Sequence, residues 1–383
     1  MSNPKDPQFM AEQLVSKLKR RQLTGSMAIS LETVKVLRQI VSVGRWHSEE
    51  VLIQRIKQVG ARLVAAQPKE IIIGNVVRRV LCLIREAQAN LHKHQSTQDL
   101  QSLAMDGTAN RPPQFSTQSS MSTLFGDEAT EAGPMTAGTP SRNYPLETSS
   151  PPSLVHQIKS DIIQAIQDFI EEQEDMYRNI ATQSMEHIHS NEVIMTCGRS
   201  KTVELFLKHA AKKRQFKVVV AESAPFYHGH EMALALANAS IDTTVITDSA
   251  VFGMMARVNK VILGTSAVLA NGGLITISGT QLIAEAARHH SIPVVVCAGL
   301  FKLSPVFPFD EDSLNTCVAP DAVLNFSHGD IVSKVDVISP FYDYVAPEYI
   351  NLFITNQGGH PPSYLYRLLE ENYDAEDTYL VKA

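Results

Sequence analysis

The sequence is short of cysteine and lacks the patterns in which cysteine usually carries a structural or metal-binding role. Its 383 residues include four cysteines, with no CxxC pair and no histidine beside them at ligand spacing. The four are Cys82, Cys197, Cys297 and Cys317. Three of them lie in apolar runs, where a free cysteine behaves as a small buried hydrophobe. The sequence therefore predicts neither a disulfide framework nor a zinc site, and it favours a reducing compartment.

Long hydrophobic runs and an excess of positive charge are also missing. No stretch approaches the roughly 18 apolar residues of a membrane-spanning helix, and the first residues lack the apolar core of a signal peptide. The formal net charge of -6 argues against broad nucleic-acid binding, which needs a basic footprint. One basic stripe, Lys17–Arg21, forms either a local contact surface or a solvated helix face. We expect a cytosolic or nuclear protein.

Much of the chain shows a regular spacing of apolar residues. With 383 residues, the chain is longer than domains with one hydrophobic core usually are, which predicts more than one domain. In residues 1–95, apolar residues recur at steps of three and four, as at Leu31, Val34 and Leu37, which predicts a helical N-terminal domain. Residues 96–152 are rich in Pro, Ser, Thr and Gly and show no apolar period. Such a segment buries too little apolar area to offset roughly 1–2 kcal/mol of backbone entropy per residue, which predicts a disordered insert.

The period of the apolar residues changes in the second half of the chain. Residues 153–190 carry one long helical stripe, which predicts a helix that completes the helical domain. After it, β-branched runs alternate with helical patterns, and these runs begin at Val193, Lys217, Thr243, Lys260 and Pro293. Strands that are apolar on both faces and separated by helices indicate a parallel sheet. Residues 191–383 therefore predict a Rossmann-like domain, and the fold class is α/β with an N-terminal helical bundle.

The turns after the strands are the first place to look for a ligand site, because parallel sheets bind ligands at the carboxyl ends of their strands. The first turn has Gly198, Ser200 and Thr202 at a helix start, with Arg199 and Lys201 beside them. This arrangement fits either an anion pocket or an ordinary capped helix, and both interpretations stay open. The turn lacks the Walker A glycines, and the chain contains no GxGxxG.

Other polar residues near these turns also have simple structural interpretations. Cys197 stands beside cations that would favour its thiolate, but no histidine is close in sequence to act as a base, so a packing role is favoured. Asn271 precedes two glycines and is first of all a turn former. The pair His289-His290 ends a helical pattern, where a cation suits the helix dipole. We expect no metal and no cofactor.

Eight short runs form a combination that is specific to one family. They are Gly74–Leu81, Val193–Glu204, Val220–Pro225, Gly229–Ala233, Ala270–Thr280, Ala286–Ser291, Phe301–Pro305 and Phe341–Val345. Together they resemble the family of alpha, beta and delta regulatory subunits of eukaryotic translation initiation factor 2B, its beta members above all. That family shares its fold with methylthioribose-1-phosphate isomerase and ribose-1,5-bisphosphate isomerase. The resemblance spans nearly the whole chain outside the predicted insert.

The resemblance implies that the isomerase chemistry has been lost. Those enzymes use a cysteine at the end of the first strand and an aspartate in a Gly-Ala-Asp-Arg turn. Fitted to them, Gly198 stands at the cysteine position, with Cys197 one residue early. Ser266 stands at the aspartate, and Thr276-Ile277 replaces an Asn-Lys pair. A one-residue shift turns a strand side chain to the other face, and an absent acid or base alone lowers a rate by about 10²–10⁴.

The expected remnant is a vestigial ligand pocket. Its candidate members are Cys197, Gly198, Arg199, Ser200, Thr202, Asp248, Ser266 and Asn271. The resemblance implies a non-catalytic, cytosolic regulatory subunit of the guanine-nucleotide exchange factor for initiation factor 2. It would pair with the delta subunit through the α/β domain and, with alpha, sense phosphorylation of the alpha subunit of initiation factor 2. The gamma and epsilon subunits would release GDP. A sugar-phosphate isomerase with shifted residues is the alternative.

Overall fold

The computed structural model describes residues 6–105 without 45 and 47, and residues 152–380 without 311–313 and 379. The described helices are α1 (Pro7–Lys19), α2 (Ser26–Val43), α3 (Glu49–Ala66), α4 (Ile71–Met105), α5 (Pro152–Thr182), α6 (Ser184–His187), α7 (Lys201–Ala211), α8 (His228–Ala237), α9 (Val251–Met255), α10 (Thr280–His289), α11 (Gly329–Val332) and α12 (Leu365–Asn372). The described strands are β1 (Val193–Cys197), β2 (Lys217–Ala221), β3 (Asp242–Ile246), β4 (Lys260–Gly264), β5 (Ala267–Val268), β6 (Leu274–Ile277), β7 (Val294–Cys297), β8 (Tyr342–Val345), β9 (Leu352–Thr355) and β10 (Gly358–His360).

The N-terminal helices form because their apolar residues repeat at helical spacing and are buried together. Val34 and Leu37 of α2 are fully buried, as the sequence pattern predicts. Helices α2, α3 and α5 all pack on α4. The approach of α3 to α4 requires a glycine, because a Cβ at Gly60 would lie 2.5 Å from Val77 Cγ1.

The two long helices, α4 and α5, end at other residues than the sequence predicts. The division of the chain into domains remains a prediction. Helix α4 continues to Met105, past the predicted insert start at residue 96, because the sequence has neither proline nor glycine between Gly74 and Gly107. The other residues of the predicted insert lie outside the described part of the chain, apart from Pro152. Helix α5 ends at Thr182 instead of running to residue 190. There the Gln183 side chain donates to Asn179 O at 3.2 Å and competes for the helix carbonyl.

The sheet confirms the prediction of an α/β fold with parallel strands. Seven described strands follow the order β10-β9-β7-β4-β1-β2-β3, and every pairing is parallel except β9 with β10. The central strands are buried on both faces, and in β2 the side chains of Val218–Val220 are almost inaccessible. A second, antiparallel sheet joins β5, β6 and β8. The sequence patterns did not predict this small sheet.

The helical half and the sheet share one hydrophobic core. The same cluster of buried residues contains Leu37 of α2, Ile180 of α5, Phe206 of α7 and Val218 of β2. Because β1, β2, β3, β4 and β7 run in parallel, their carboxyl ends lie on one edge of the sheet, where the candidate site is expected. None of the described helices is both long and apolar enough to cross a membrane.

Candidate functional site

The turn between β1 and α7 has the contacts of a capped helix. The N–H of Val203 donates to Ser200 Oγ at 3.5 Å, so that Ser200 is the N-cap of α7. The guanidinium of Arg199 pairs with the carboxylate of Glu231 on α8. Thr202 is buried in the first turn of α7. The polar groups of this turn therefore serve the fold locally.

Gly198, at the same turn, has its side-chain space occupied by Ile277. Its φ is +57°, in the left-handed region that favours glycine. A Cβ on residue 198 would lie less than 3.0 Å from Ile277 Cδ1 and 3.4 Å from Ser223 Oγ. The resemblance puts the catalytic cysteine of the isomerases at this position, so the region that a reactive side chain would enter is filled by an apolar one.

Cys197 is a neutral buried thiol. Its Sγ lies 3.3 Å from Thr280 Oγ1. Burial raises the pKa of this thiol to about 11, the nearby hydroxyls of Thr280 and Ser223 oppose that rise, and the carboxylate of Asp248 adds to it. The sequence suggested that nearby cations would favour the thiolate, but Arg199 is paired with Glu231 and the burial of Cys197 dominates. The thiol is therefore not poised as a nucleophile.

Two carboxylates at this edge hold backbone turns together. Asp248 accepts hydrogen bonds from Ser223 N at 3.0 Å and Ala224 N at 2.7 Å. In this way it fixes the turn after β2, where Ser223 has a φ of +57°. Asp343 accepts from Gly279 N at 2.7 Å at the start of α10. Asp343 lies in the family run Phe341–Val345, but no sequence pattern predicts this role.

Ser266 and Asn271 are bonded to the small sheet. The Ser266 hydroxyl lies near Tyr342 and opposes the rise of its pKa, which burial raises to about 12. The Asn271 side chain donates to the Tyr344 hydroxyl at 2.7 Å and accepts from Gly273 N at 2.9 Å. These are the contacts of a turn former, as the sequence predicts for Asn271. The contacts of Cys197, Gly198 and Asp248 meet at Ser223, whereas those of Ser266 and Asn271 lead to β8.

A buried charged group beside Ser266 was not predicted. Lys302 Nζ donates to Thr265 O at 2.7 Å, and burial lowers the pKa of this lysine to about 8. The nearby Glu70, just before α4, has a pKa raised to about 7 by burial, which the charge of Lys302 opposes. Lys302 lies in the family run Phe301–Pro305, but no sequence pattern pairs it with Glu70. The two residues link the helical half to the turn after β4.

The histidines near these turns make aromatic contacts. His289 and His290 each pack against Phe252, with ring centroids 5.0 Å apart. His230 stacks on Tyr227. Within the described ranges, no group of three His, Cys, Asp or Glu side chains could hold a metal ion.

Comparison with known proteins identifies the family. The sequence model described as "Initiation factor 2 subunit family" matches residues 22–362. Translation initiation factor eIF2B subunit beta of Schizosaccharomyces pombe is 44% identical over 386 residues, covering 96% of each chain. The chain belongs to the initiation factor 2 subunit family. The family predicted from the sequence runs is thereby confirmed.

Solved structures of this family share the whole fold. The crystal structure of eIF2B beta from Chaetomium thermophilum matches with a TM-score of 0.69 and 29% identity, covering 96% of this chain and 92% of that one. A chain of the tetrameric eIF2B-beta2-delta2 complex from C. thermophilum matches with a TM-score of 0.67 and 26% identity, covering 96% of both.

The isomerases are more distant relatives. Ribose 1,5-bisphosphate isomerase of Archaeoglobus fulgidus is 30% identical over 237 residues, which cover 60% of this chain and 72% of that protein. Identity and coverage are both higher for the initiation-factor subunit. The comparisons therefore favour the regulatory subunit over the isomerase, in agreement with the replaced residues at Gly198 and Ser266.

Proposed function

We propose that this chain is a beta-type regulatory subunit of the exchange factor that acts on translation initiation factor 2. The observation that carries the proposal is the 44% identity over 96% of both chains with a subunit of that name. The site supports a non-catalytic role, because Cys197 is a buried thiol and Ile277 fills the space at Gly198. Catalytic release of GDP is then the work of the gamma and epsilon subunits.

The proposed partner of the α/β half is the delta subunit. A structural relative of this chain is part of the tetrameric eIF2B-beta2-delta2 complex, which supports the pairing. Large apolar side chains are exposed on α8, α9 and α10 of the α/β half, at Leu234, Phe252 and Leu282, and we propose that they contribute to this contact. Together with alpha, the pair would form the cytosolic regulatory core that senses phosphorylation of the alpha subunit of initiation factor 2.

The experiment that tests this role is a GDP-release assay with the exchange factor assembled with and without this chain. We expect the gamma and epsilon subunits to release GDP in both assemblies. Inhibition by phosphorylated initiation factor 2 should require this chain, because the regulatory core is incomplete without it. Equal inhibition in both assemblies would contradict the proposal, and turnover of ribose-1,5-bisphosphate by the purified chain would restore the isomerase alternative.

A further inference from the structure

A cleft lies where α4 and α5 meet the α/β half, and it shares no lining residue with the vestigial pocket. Its walls include Phe169 of α5, Phe301 after β7 and Tyr373 after α12. Two side-chain amides, Asn75 of α4 and Gln173 of α5, also line it. They are only 1% and 3% exposed. The cleft therefore has aromatic walls and two buried polar side chains contributed by two different helices.

Each of these amides has one polar atom without a partner among the described residues. Asn75 Nδ2 donates to Phe301 O at 3.4 Å, while its Oδ1 accepts no hydrogen bond from the described part of the chain. Gln173 Oε1 accepts from the Ser30 hydroxyl at 2.6 Å, and its Nε2 likewise has no acceptor within the described ranges. Buried polar atoms in native proteins nearly always have partners. Two residues that line the same cleft thus carry one free acceptor and one free donor.

The charges in the cleft balance each other and are already hydrogen-bonded. Arg79 Nη1 pairs with Glu86 at 3.0 Å, and Glu172 Oε1 accepts from Asn356 Nδ2 at 2.7 Å. Arg79 and Glu172 are the two charged groups that line the cleft. A ligand with a net charge would be repelled by the one that carries the same sign, in a partly buried space. The cleft therefore favours a neutral ligand over a sugar phosphate.

The enclosed space limits how much of a ligand can enter. Its volume is about 20 Å³, whereas a water molecule needs about 10–15 Å³ by the same measure. One or two small polar atoms fit inside, and the remainder of a ligand would lie in the mouth of the cleft. The oxygen and nitrogen of a single amide group match both this size and the free donor and acceptor.

We propose that the cleft binds a neutral small molecule through a carboxamide or lactam group. The ligand N–H donates to Asn75 Oδ1, its carbonyl accepts from Gln173 Nε2, and its apolar part packs against Phe169 and Phe301. Because the walls come from both halves of the chain, the bound ligand stabilises their association. This inference is independent of the proposed function, since it uses only the contacts of the cleft.

Benzamide is a suitable probe, because it joins an amide to an aromatic ring. Its affinity for the full-length chain is measured by ligand-observed NMR titration, with acetophenone, which keeps the ring and the carbonyl but lacks the N–H, as the matched compound. We expect benzamide to bind at least tenfold more tightly. The variant Gln173→Glu keeps the acceptor for Ser30 but loses the donor, and it should weaken benzamide binding at least tenfold. The control Gln164→Glu changes an exposed residue of the same helix and should leave binding unchanged.

Several results would overturn the inference. These are equal affinities for benzamide and acetophenone, no benzamide binding at its solubility limit, or unchanged binding to the Gln173→Glu variant. A crystal soaked in benzamide that holds only a water between Asn75 and Gln173 would also exclude the ligand site. If Gln173→Glu does not fold, Gln173→Met removes the same donor without adding charge, and it should show the same loss of binding.

Discussion

Ile277 occupies the space into which a side chain at position 198 would project. A Cβ on Gly198 would approach Ile277 Cδ1 to less than 3.0 Å, closer than real side-chain atoms come. The resemblance places these two residues at the catalytic cysteine and at the lysine of the related isomerases. The two replacements therefore remove the reactive groups and also close the space that they would need.

Because of this contact, we expect substitutions at Gly198 and Ile277 to have non-additive effects on the free energy of unfolding. Gly198→Ala should lower the free energy of unfolding by about 2–4 kcal/mol, because it adds overpacking to a left-handed backbone conformation. Ile277→Ala should also be destabilising, since it removes the apolar atoms of a partly buried side chain that packs on the core. The double variant should lose less than the sum of the two, because the smaller side chain makes room for the new methyl group. Urea denaturation of the three variants measures this coupling, and strictly additive losses would contradict it.

The buried thiol predicts slow reaction at Cys197. Burial raises the pKa of this thiol to about 11 and that of Cys297 to about 12, so that neither is a thiolate at neutral pH. Cys317 is exposed. In the native chain, a thiol reagent should modify Cys317 first and the buried cysteines only as the protein unfolds. Peptide mapping of the labelled sites checks this order, and rapid native labelling of Cys197 would show that its thiol is accessible after all.

The C-terminal segment is anchored to the helical half by a buried carboxylate. Asp377 is fully buried and lies 2.6 Å from Lys57 Nζ and 3.0 Å from Arg85 Nε. Asp377→Asn should destabilise the fold by about 1.5–3 kcal/mol, because it removes the charged hydrogen bonds of a fully buried side chain to the half-buried Lys57 and Arg85. Glu376→Gln removes an exposed partner of the same Arg85 and should cost less than about 1 kcal/mol. Thermal or chemical unfolding of both variants gives the comparison, and equal losses would contradict the anchor.

Glu70, at the junction between the helical half and the α/β half, should make the free energy of unfolding depend on pH. The pKa of Glu70 is raised to about 7 by burial, so the folded chain keeps a proton that the unfolded chain releases. This contribution to stability is complete below the ordinary carboxyl pKa and is lost as the pH rises towards 7. Between about pH 5 and pH 7 the free energy of unfolding should fall, with a slope of up to about 1.4 kcal/mol per pH unit. Glu70→Gln stays neutral and should lack this part of the slope, whereas identical slopes would contradict the assignment.

The sequence predicted those features that depend on local patterns. Strands β1, β2 and β4 were evident because they are apolar on both faces and bounded by turn residues. Strand β5 was not, because two residues carry no period. The site shows the same division. The turn at Asn271 is local in sequence, but the pairing of Arg199 with Glu231 and the proximity of Glu70 to Lys302 depend on how distant segments fold together. No spacing rule reveals such contacts.

The most direct test of the proposed role is native mass spectrometry of the full-length chain co-expressed with a delta subunit. We expect an assembly that contains both chains, in equal numbers as in the beta2-delta2 relative, and a chain that self-associates or aggregates when it is expressed alone. Stability should then rise with the concentration of the partner, because a partner that binds only the folded state shifts the unfolding equilibrium. A monomer that stays folded and soluble alone and does not bind the delta subunit at any concentration would contradict the proposed role.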